Sequence, residues 1–191
     1  PTVQIEFQPK LDYGRTETHC VEADPWTILA KDGDSQFFLT TDIPVGKIIN
    51  KDTVTLSNGN FFIMSYGKPF QNPTTGIVRH HLDKTIKFWR LWIRNCYLPK
   101  EYQPQIIRSA LTLKQLVYEK TGAIVAAPTT SIPEIPGGVR NWDYRFCWLR
   151  DAYFIIEALL QLSRFEVAEG FISYLKQILQ GQHDYVRPMF L

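Results

Sequence analysis

The sequence predicts two kinds of structure in one chain of 191 residues. Part of an antiparallel β-sandwich runs to about residue 72, and helices that include a two-layer array follow it. Short apolar runs, parted by Asp, Gly, Asn or Pro, recur about every ten residues in the first part, which is sandwich spacing. After Gln71-Asn72-Pro73 the apolar period changes from that of a strand to that of a helix. Beyond that point a helix apolar nearly all round stands beside amphipathic ones, the pattern of an inner and an outer layer.

The strands come first. Val3, Ile5 and Phe7 alternate with Gln4, Glu6 and Gln8, the period-two signature of a strand with one buried face. Trp26 to Leu29, Phe37 to Thr40, Val54 to Leu56 and Phe61 to Met64 are further candidates. Asn58-Gly59, between the last two, predicts a hairpin, because both residue types tolerate positive φ. Asp12 and Asp24 read as turn residues.

The helices follow. Phe88, Leu91 and Trp92 form an apolar stripe among Lys84, Lys87, Arg90 and Arg94, predicting a helix from Ile77 to Asn95 that ends before Pro99. Ile106, Ala110, Leu113 and Val117 lie on one face of a second helix, Tyr102 to Lys120, which Gly122 stops. Residues 123–146 form a loop rich in Pro, Thr and Gly, whose length points to function and whose apolar content points to order. Asp151 to Leu162 is apolar on nearly every side, which predicts burial on every side, and it is too short to span a bilayer. Phe165 to Leu179 gives a fourth helix, with Val167, Phe171, Tyr174, Leu175 and Ile178 on one face.

Composition narrows the function classes. Apolar residues at 45% and charged residues at 21% argue for a folded chain. Twenty-one Lys and Arg against 19 Asp and Glu leave a net charge of +2 and no basic stripe, so neither nucleic acid nor an anionic membrane is expected as a partner. Cys20, Cys96 and Cys147 are odd in number and far apart, which disfavours a zinc knuckle, a thioredoxin-type site and a disulfide framework. No metal or cofactor is expected. His80-His81 are neighbours about 100° apart on a helical wheel and cannot easily share a metal. No signal peptide is visible and the cytoplasm is the expected location. The sequence opens at Pro1 and closes on Met189-Phe190-Leu191, which reads as a piece of a longer protein.

The informative stretch runs from Arg140 to Asp151, Arg-Asn-Trp-Asp-Tyr-Arg-Phe-Cys-Trp-Leu-Arg-Asp. Charges beside a buried helix are costly unless paired or matched by a polar ligand. One reading is an Arg/Asp ion-pair network stitching loop to helix, with Asp151 as the helix cap. The other is a sugar site, in which aromatic rings stack on a pyranose face while Arg and Asp hydrogen-bond adjacent hydroxyls. The pattern alone leaves both open.

From about Arg108 to Leu179 the chain resembles the bacterial branch of glycoside hydrolase family 15, the glucoamylases with glucodextranases and some trehalases. The resemblance rests on Ser109 to Lys114, Gly122 to Ser131 and Gly137 to Asp151. Asp12-Tyr13-Gly14-Arg15 resembles, more weakly, a motif of the family's N-terminal sandwich, and Phe88 to Trp92 its interdomain linker. The resemblance implies the end of a β-sandwich over residues 1–72, a linker helix over 73–99, and the first helices of an (α/α)6 barrel over 100–191. It further implies that Arg150 and Asp151 hydrogen-bond the non-reducing glucose in subsite −1, with Trp148 and Tyr144 lining that pocket and Trp142 and Asp143 beside them. The family's general acid and base are glutamates that match nothing here; Glu134, Glu157, Glu166 and Glu169 sit in no such motif. No catalytic residue is therefore expected in this chain.

The implied activity is that of an inverting, exo-acting hydrolase releasing glucose from the non-reducing ends of α-glucans or oligosaccharides, its partners being that substrate and the remainder of its own catalytic domain. The competing expectations are a disaccharide phosphorylase of similar architecture and a non-catalytic carbohydrate-binding module.

Overall fold

The computed structural model describes residues 1–180 and the backbone of residues 189–190. The chain divides into two compact units, Pro1–Ile86 and Lys87–Leu191.

In the first unit β1 (Thr2–Gln4) pairs antiparallel with β5 (Thr53–Thr55), Val3 facing Val54. A second antiparallel sheet runs in the order β2 (His19–Asp24), β3 (Thr27–Asp32), β4 (Ser35–Thr41), β6 (Phe62–Tyr66). Ile28 and Leu39 from its central strands bury against Val45 and Ile48 of a short helix, α1 (Val45–Ile49). Each such side chain contributes about 1.5–3 kcal/mol on leaving water. Ile5 and Phe7 pack on this core, and the Phe7 ring stacks on Phe37 at 6.4 Å. The alternating pattern thus buries as expected, although the β-ladder itself stops at Gln4.

Two features of this unit depart from expectation. The Asn58-Gly59 turn is not a hairpin, because β5 pairs with β1 and β6 pairs with β4. The turn crosses between sheets instead, and Asp42 fastens it. Asp42 Oδ1 accepts from the Phe61 backbone N–H at 3.0 Å and Oδ2 from Asn60 Nδ2 at 2.9 Å. β2 has no expected counterpart. Every residue of it is exposed, so it carries no apolar alternation to reveal it. Asp24 does act as a turn residue, its Oδ1 accepting from the Trp26 N–H at 2.8 Å. Replacing Asp42 by Ala strands the Phe61 N–H beside a buried ring and costs about 1–3 kcal/mol. Urea denaturation of the variant reads that loss as a lower midpoint.

α2 (Thr75–Arg94) spans the unit boundary. Of its expected apolar stripe only Trp92 is buried, while Phe88 and Leu91 are exposed. In the second unit α3 (Gln103–Gln115), α4 (Leu149–Gln161) and α5 (Phe165–Leu179) share one core containing Trp92, Ala110, Ala152, Ile155, Leu159 and Phe171. Arg164, in the turn between α4 and α5, lays its guanidinium over the Trp92 ring at 5.0 Å and donates to the Asn95 carbonyl at 3.2 Å. α3 is shorter than its periodicity suggests. Val117 leaves the helix to bridge Ile124, and the Tyr118 N–H donates to the Ala123 carbonyl at 2.8 Å. Gly122 sits in that turn at φ +84, against the backbone of Gly170 in α5.

α4 is not buried on every side. Ala152, Ile155 and Leu159 face the core, whereas Tyr153 and Phe154 are 59% and 60% exposed. Burial requires a partner on each face, and among the described residues the packing partners, chiefly α3 and α5, cover one face of α4. The architecture is therefore antiparallel sheets followed by packed helices.

Candidate functional site

The long segment between α3 and α4 is ordered by its own backbone. Ala126 and Ala127 N–H groups donate to the Phe146 and Tyr144 carbonyls at 3.1 and 2.8 Å. Further out, Ser131 N–H donates to Trp142 O at 2.8 Å and Glu134 N–H to Arg140 O at 3.2 Å. Prolines 128, 133 and 136 forbid a helix here, so the two arms satisfy each other. Gly137 turns the tip at φ +76. Apolar burial is not the cause of order along the outer arms, since Ile132, Ile135 and Val139 are exposed there.

The returning arm delivers the aromatic and charged residues to α4. Asp143 is gripped by Arg145: its Oδ1 accepts from the Arg145 backbone N–H at 3.0 Å and from Nε at 2.9 Å, and its Oδ2 from Nη2 at 2.7 Å. This bidentate bond holds the Asp143 carboxyl below its ordinary range, against a smaller opposing effect of desolvation. The Asp143 carbonyl in turn accepts from Trp148 Nε1 at 2.9 Å, which orients the indole. The Tyr144 and Trp148 rings meet edge to face with centroids 6.3 Å apart. β7 (Cys147–Trp148), paired with β8 (Met189–Phe190), leads straight into α4.

Arg150 and Asp151 occupy the first turn of α4, with Arg150 Nη2 3.1 Å from Asp151 Oδ2. Asp151 does not cap the helix. Trp148 holds the N-cap position, and no side chain bonds the cap. The Arg150 side chain is 68% exposed and that of Asp151 28%. The Arg150–Asp151 pair is thus local to the helix, and a bond from Trp148 to the Asp143 carbonyl ties arm to helix. Trp142 stands apart at 45% exposure, its backbone N–H donating to Ser131 Oγ at 2.7 Å. The fold therefore brings Tyr144 with Trp148, and Arg150 with Asp151, while Trp142 lies further up the arm. Arg145 is the contributor to which the sequence assigns no role of its own, and its local signal is the Asp-x-Arg spacing.

Cys147 lies beneath this surface, almost fully buried beside Tyr174. Burial pushes its thiol up from the ordinary value, partly offset by hydrogen bonds involving the Ile124 backbone and Tyr174. The folded chain therefore holds the Cys147 proton more tightly than the unfolded chain does. The stability this supplies is complete below the unfolded thiol's pKa and is lost as pH rises through the folded value. Alkylation at mildly alkaline pH modifies exposed Cys20 first and Cys147 only on unfolding, as read by peptide mass spectrometry.

Among the described residues no cluster of three or more His, Cys, Asp and Glu side chains is arranged to hold a metal ion. His80 and His81 are exposed and lie edge to face. No helix among them is long and apolar enough to cross a membrane.

Residues 100–190 match the sequence profile of glycosyl hydrolases family 15. The chain is 34% identical over 182 residues to a trehalase of Thermoplasma volcanium, an alignment covering 92% of this chain and 29% of that protein. It is 31% identical over 188 residues to a trehalase of Thermoplasma acidophilum, covering 95% of this chain and 32% of the relative. A trehalase of Mycolicibacterium smegmatis is 37% identical over 156 residues, or 79% of this chain and 23% of the relative. No solved structure matches. The arm, the aromatic pair and the Arg150–Asp151 pair therefore stand within a glycosyl hydrolase region. Residues 100–190 are thus a glycosyl hydrolase family 15 region, and the chain spans just under a third of the length of the first two relatives.

Proposed function

We propose that residues 142–151 form the part of a glycoside hydrolase site that binds the non-reducing glucose, and that the whole protein hydrolyses trehalose with inversion. The observation that carries this reading is the arrangement at the head of α4. Tyr144 and Trp148 offer adjoining ring surfaces, and Arg150 and Asp151 offer a donor and an acceptor one residue apart, all inside the region shared with the trehalases. Rings stack on the C–H face of a pyranose, and charged partners make short, directional bonds to neighbouring hydroxyls. The trehalase relatives favour trehalose over the α-glucans that a glucoamylase would take.

Inversion needs a carboxylic acid to protonate the leaving oxygen and a carboxylate about 6.5–9.5 Å away to activate water. Glu134 is held by Arg140 and Glu166 by Arg164, while Glu157 and Glu169 are exposed on α4 and α5. We place the acid and base outside residues 1–191, on other helices of an (α/α)6 barrel whose opening is residues 100–191. In the same reading residues 1–72 are the end of a β-sandwich and 73–99 the linker. The three free thiols fit a reducing compartment.

The test is the anomeric outcome with the full-length protein. Trehalose hydrolysed with inversion yields α- and β-glucose in equal amounts at the earliest times, read by proton NMR before mutarotation. Two α-glucose molecules would mean retention. A sugar phosphate formed in phosphate buffer would mean a phosphorylase.

A further inference from the structure

The first unit carries a cleft remote in sequence from the head of α4. It has a volume of about 610 Å³, within the roughly 300–1,000 Å³ typical of small-molecule sites. We propose that this cleft is a second sugar site, taking one neutral pyranose unit stacked on Trp26.

The cleft lies where strand ends converge. Asp24 ends β2, Trp26 lies in the turn that follows, Thr27 opens β3, and Thr40 and Thr41 close β4, with Phe70 and Gln71 supplied by the segment before α2. Its floor is hydroxylated and hydrogen-bonded. Thr27, Thr40 and Thr41 are all nearly fully buried, Thr27 and Thr40 face each other across the ladder, and their Oγ1 atoms lie 3.5 Å apart. That pair uses one of its two O–H hydrogens, and the hydroxyls keep acceptor lone pairs. Thr41 Oγ1 donates to the Phe61 carbonyl at 2.6 Å, which fixes the floor against the approach to β6.

The walls combine acceptors with aromatic surface. Asp24 and Asp42 are both anchored by backbone N–H groups, so each carboxylate is held in place before any ligand arrives. Each oxygen retains lone pairs for a hydroxyl donor. Trp26 is 47% exposed, a large indole left open to solvent beside these acceptors. Phe70 is half-buried and braced edge to face by His81 at 5.7 Å. Gln71 and Asn72 are exposed amides at the rim.

This chemistry selects its ligand. Two carboxylates, with no Lys, Arg or His among the described lining residues, repel phosphates and other anions. Anchored acceptors call for a ligand with several O–H donors, and an exposed indole calls for an apolar face. A neutral pyranose presents both. An organic polyamine, which when protonated offers donors only, would satisfy the carboxylates and the ring but would leave the amide N–H groups of Gln71 and Asn72 without an acceptor.

Fluorotryptophan labelling of the full-length protein, with Trp26→Phe assigning the Trp26 resonance, provides the test by fluorine NMR. Glucose, mannose and xylose are titrated, since monosaccharides are not turned over, with inorganic phosphate and spermidine as competing chemistries. The expected result is a saturable shift of the Trp26 resonance with at least one sugar and none with phosphate. Gln71→Ala, at an exposed rim position, is expected to raise that Kd about three- to tenfold by removing one neutral hydrogen bond. A Trp26 resonance unmoved by every sugar overturns the proposal, as does one moved by spermidine alone or a Kd unchanged in Gln71→Ala. Because the readout is Trp26 rather than glucose release, failure here leaves the reading of residues 142–151 untouched.

Discussion

Replacing Arg150 by Ala or Asp151 by Asn in the full-length protein is expected to lower kcat/KM about ten- to a hundredfold while leaving folding nearly intact. A hydrogen bond from a charged group to a sugar hydroxyl is worth about 1.5–3 kcal/mol, which converts to that loss of rate. The structural side of the expectation follows from the geometry. Arg150 and Asp151 pair at 3.1 Å, yet the arginine side chain is 68% exposed, and Arg150 bonds its own neighbour rather than the arm. An exposed pair of this kind contributes about 0.2–1 kcal/mol. Asp151 adds about 0.3–1 kcal/mol by facing the partial positive charge of the α4 first turn. Measuring the melting transition and kcat/KM on the same variants separates binding from scaffolding. A large loss of stability with intact turnover per folded molecule would assign the pair to structure alone.

The largest effect on stability is expected at Gly122. A Cβ there would stand 2.3 Å from the Gly170 carbonyl oxygen and 2.5 Å from its carbonyl carbon, and φ is +84. The obstacle is helix backbone, which cannot rotate aside. Left-handed strain of about 1–2 kcal/mol adds to an overpacking cost of about 1–3 kcal/mol, so Gly122→Ala should lose about 2–5 kcal/mol. For a unit of this size that lowers Tm by on the order of 10–30 °C. Gly170→Ala is the control of opposite sign. Its Cβ meets only the Gly122 Cα at 3.7 Å, an ordinary contact, and Ala is favoured over Gly in a helix by up to about 1 kcal/mol. Thermal melts of both variants decide it. Equal destabilisation by the two changes would contradict the contact geometry.

Legibility in the sequence followed the range of the interaction that creates each element. α5 occupies Phe165–Leu179 as its apolar spacing predicts, and α2 lies within two residues of its expected limits. In both, a local period specifies the helix. β2 is not legible in the sequence because an exposed strand has no buried face to write a pattern, nor is α1, because five residues are too few to show one. The site divides in the same way. Aromatics and charges crowded between Arg140 and Asp151 were visible as composition, and resemblance gave them roles. That Arg145 clamps Asp143, and that the Asp143 carbonyl orients Trp148, depends on how the arm folds back.

The sequence by itself determined where strands give way to helices, which faces of β1, α3 and α5 are apolar, and which short stretch gathers aromatics and charges, because these are consequences of neighbouring residues and their spacing. Only the tertiary structure decided that Asn58-Gly59 crosses between sheets, since strand pairing is chosen by partners distant in the chain. Likewise Gln115 ends α3 because Val117 finds a partner in Ile124. Tyr153 and Phe154 remain open on a helix that is apolar all round for a similar reason. Hydrophobicity states that a surface gains by leaving water, but burial happens only where another element arrives to cover it.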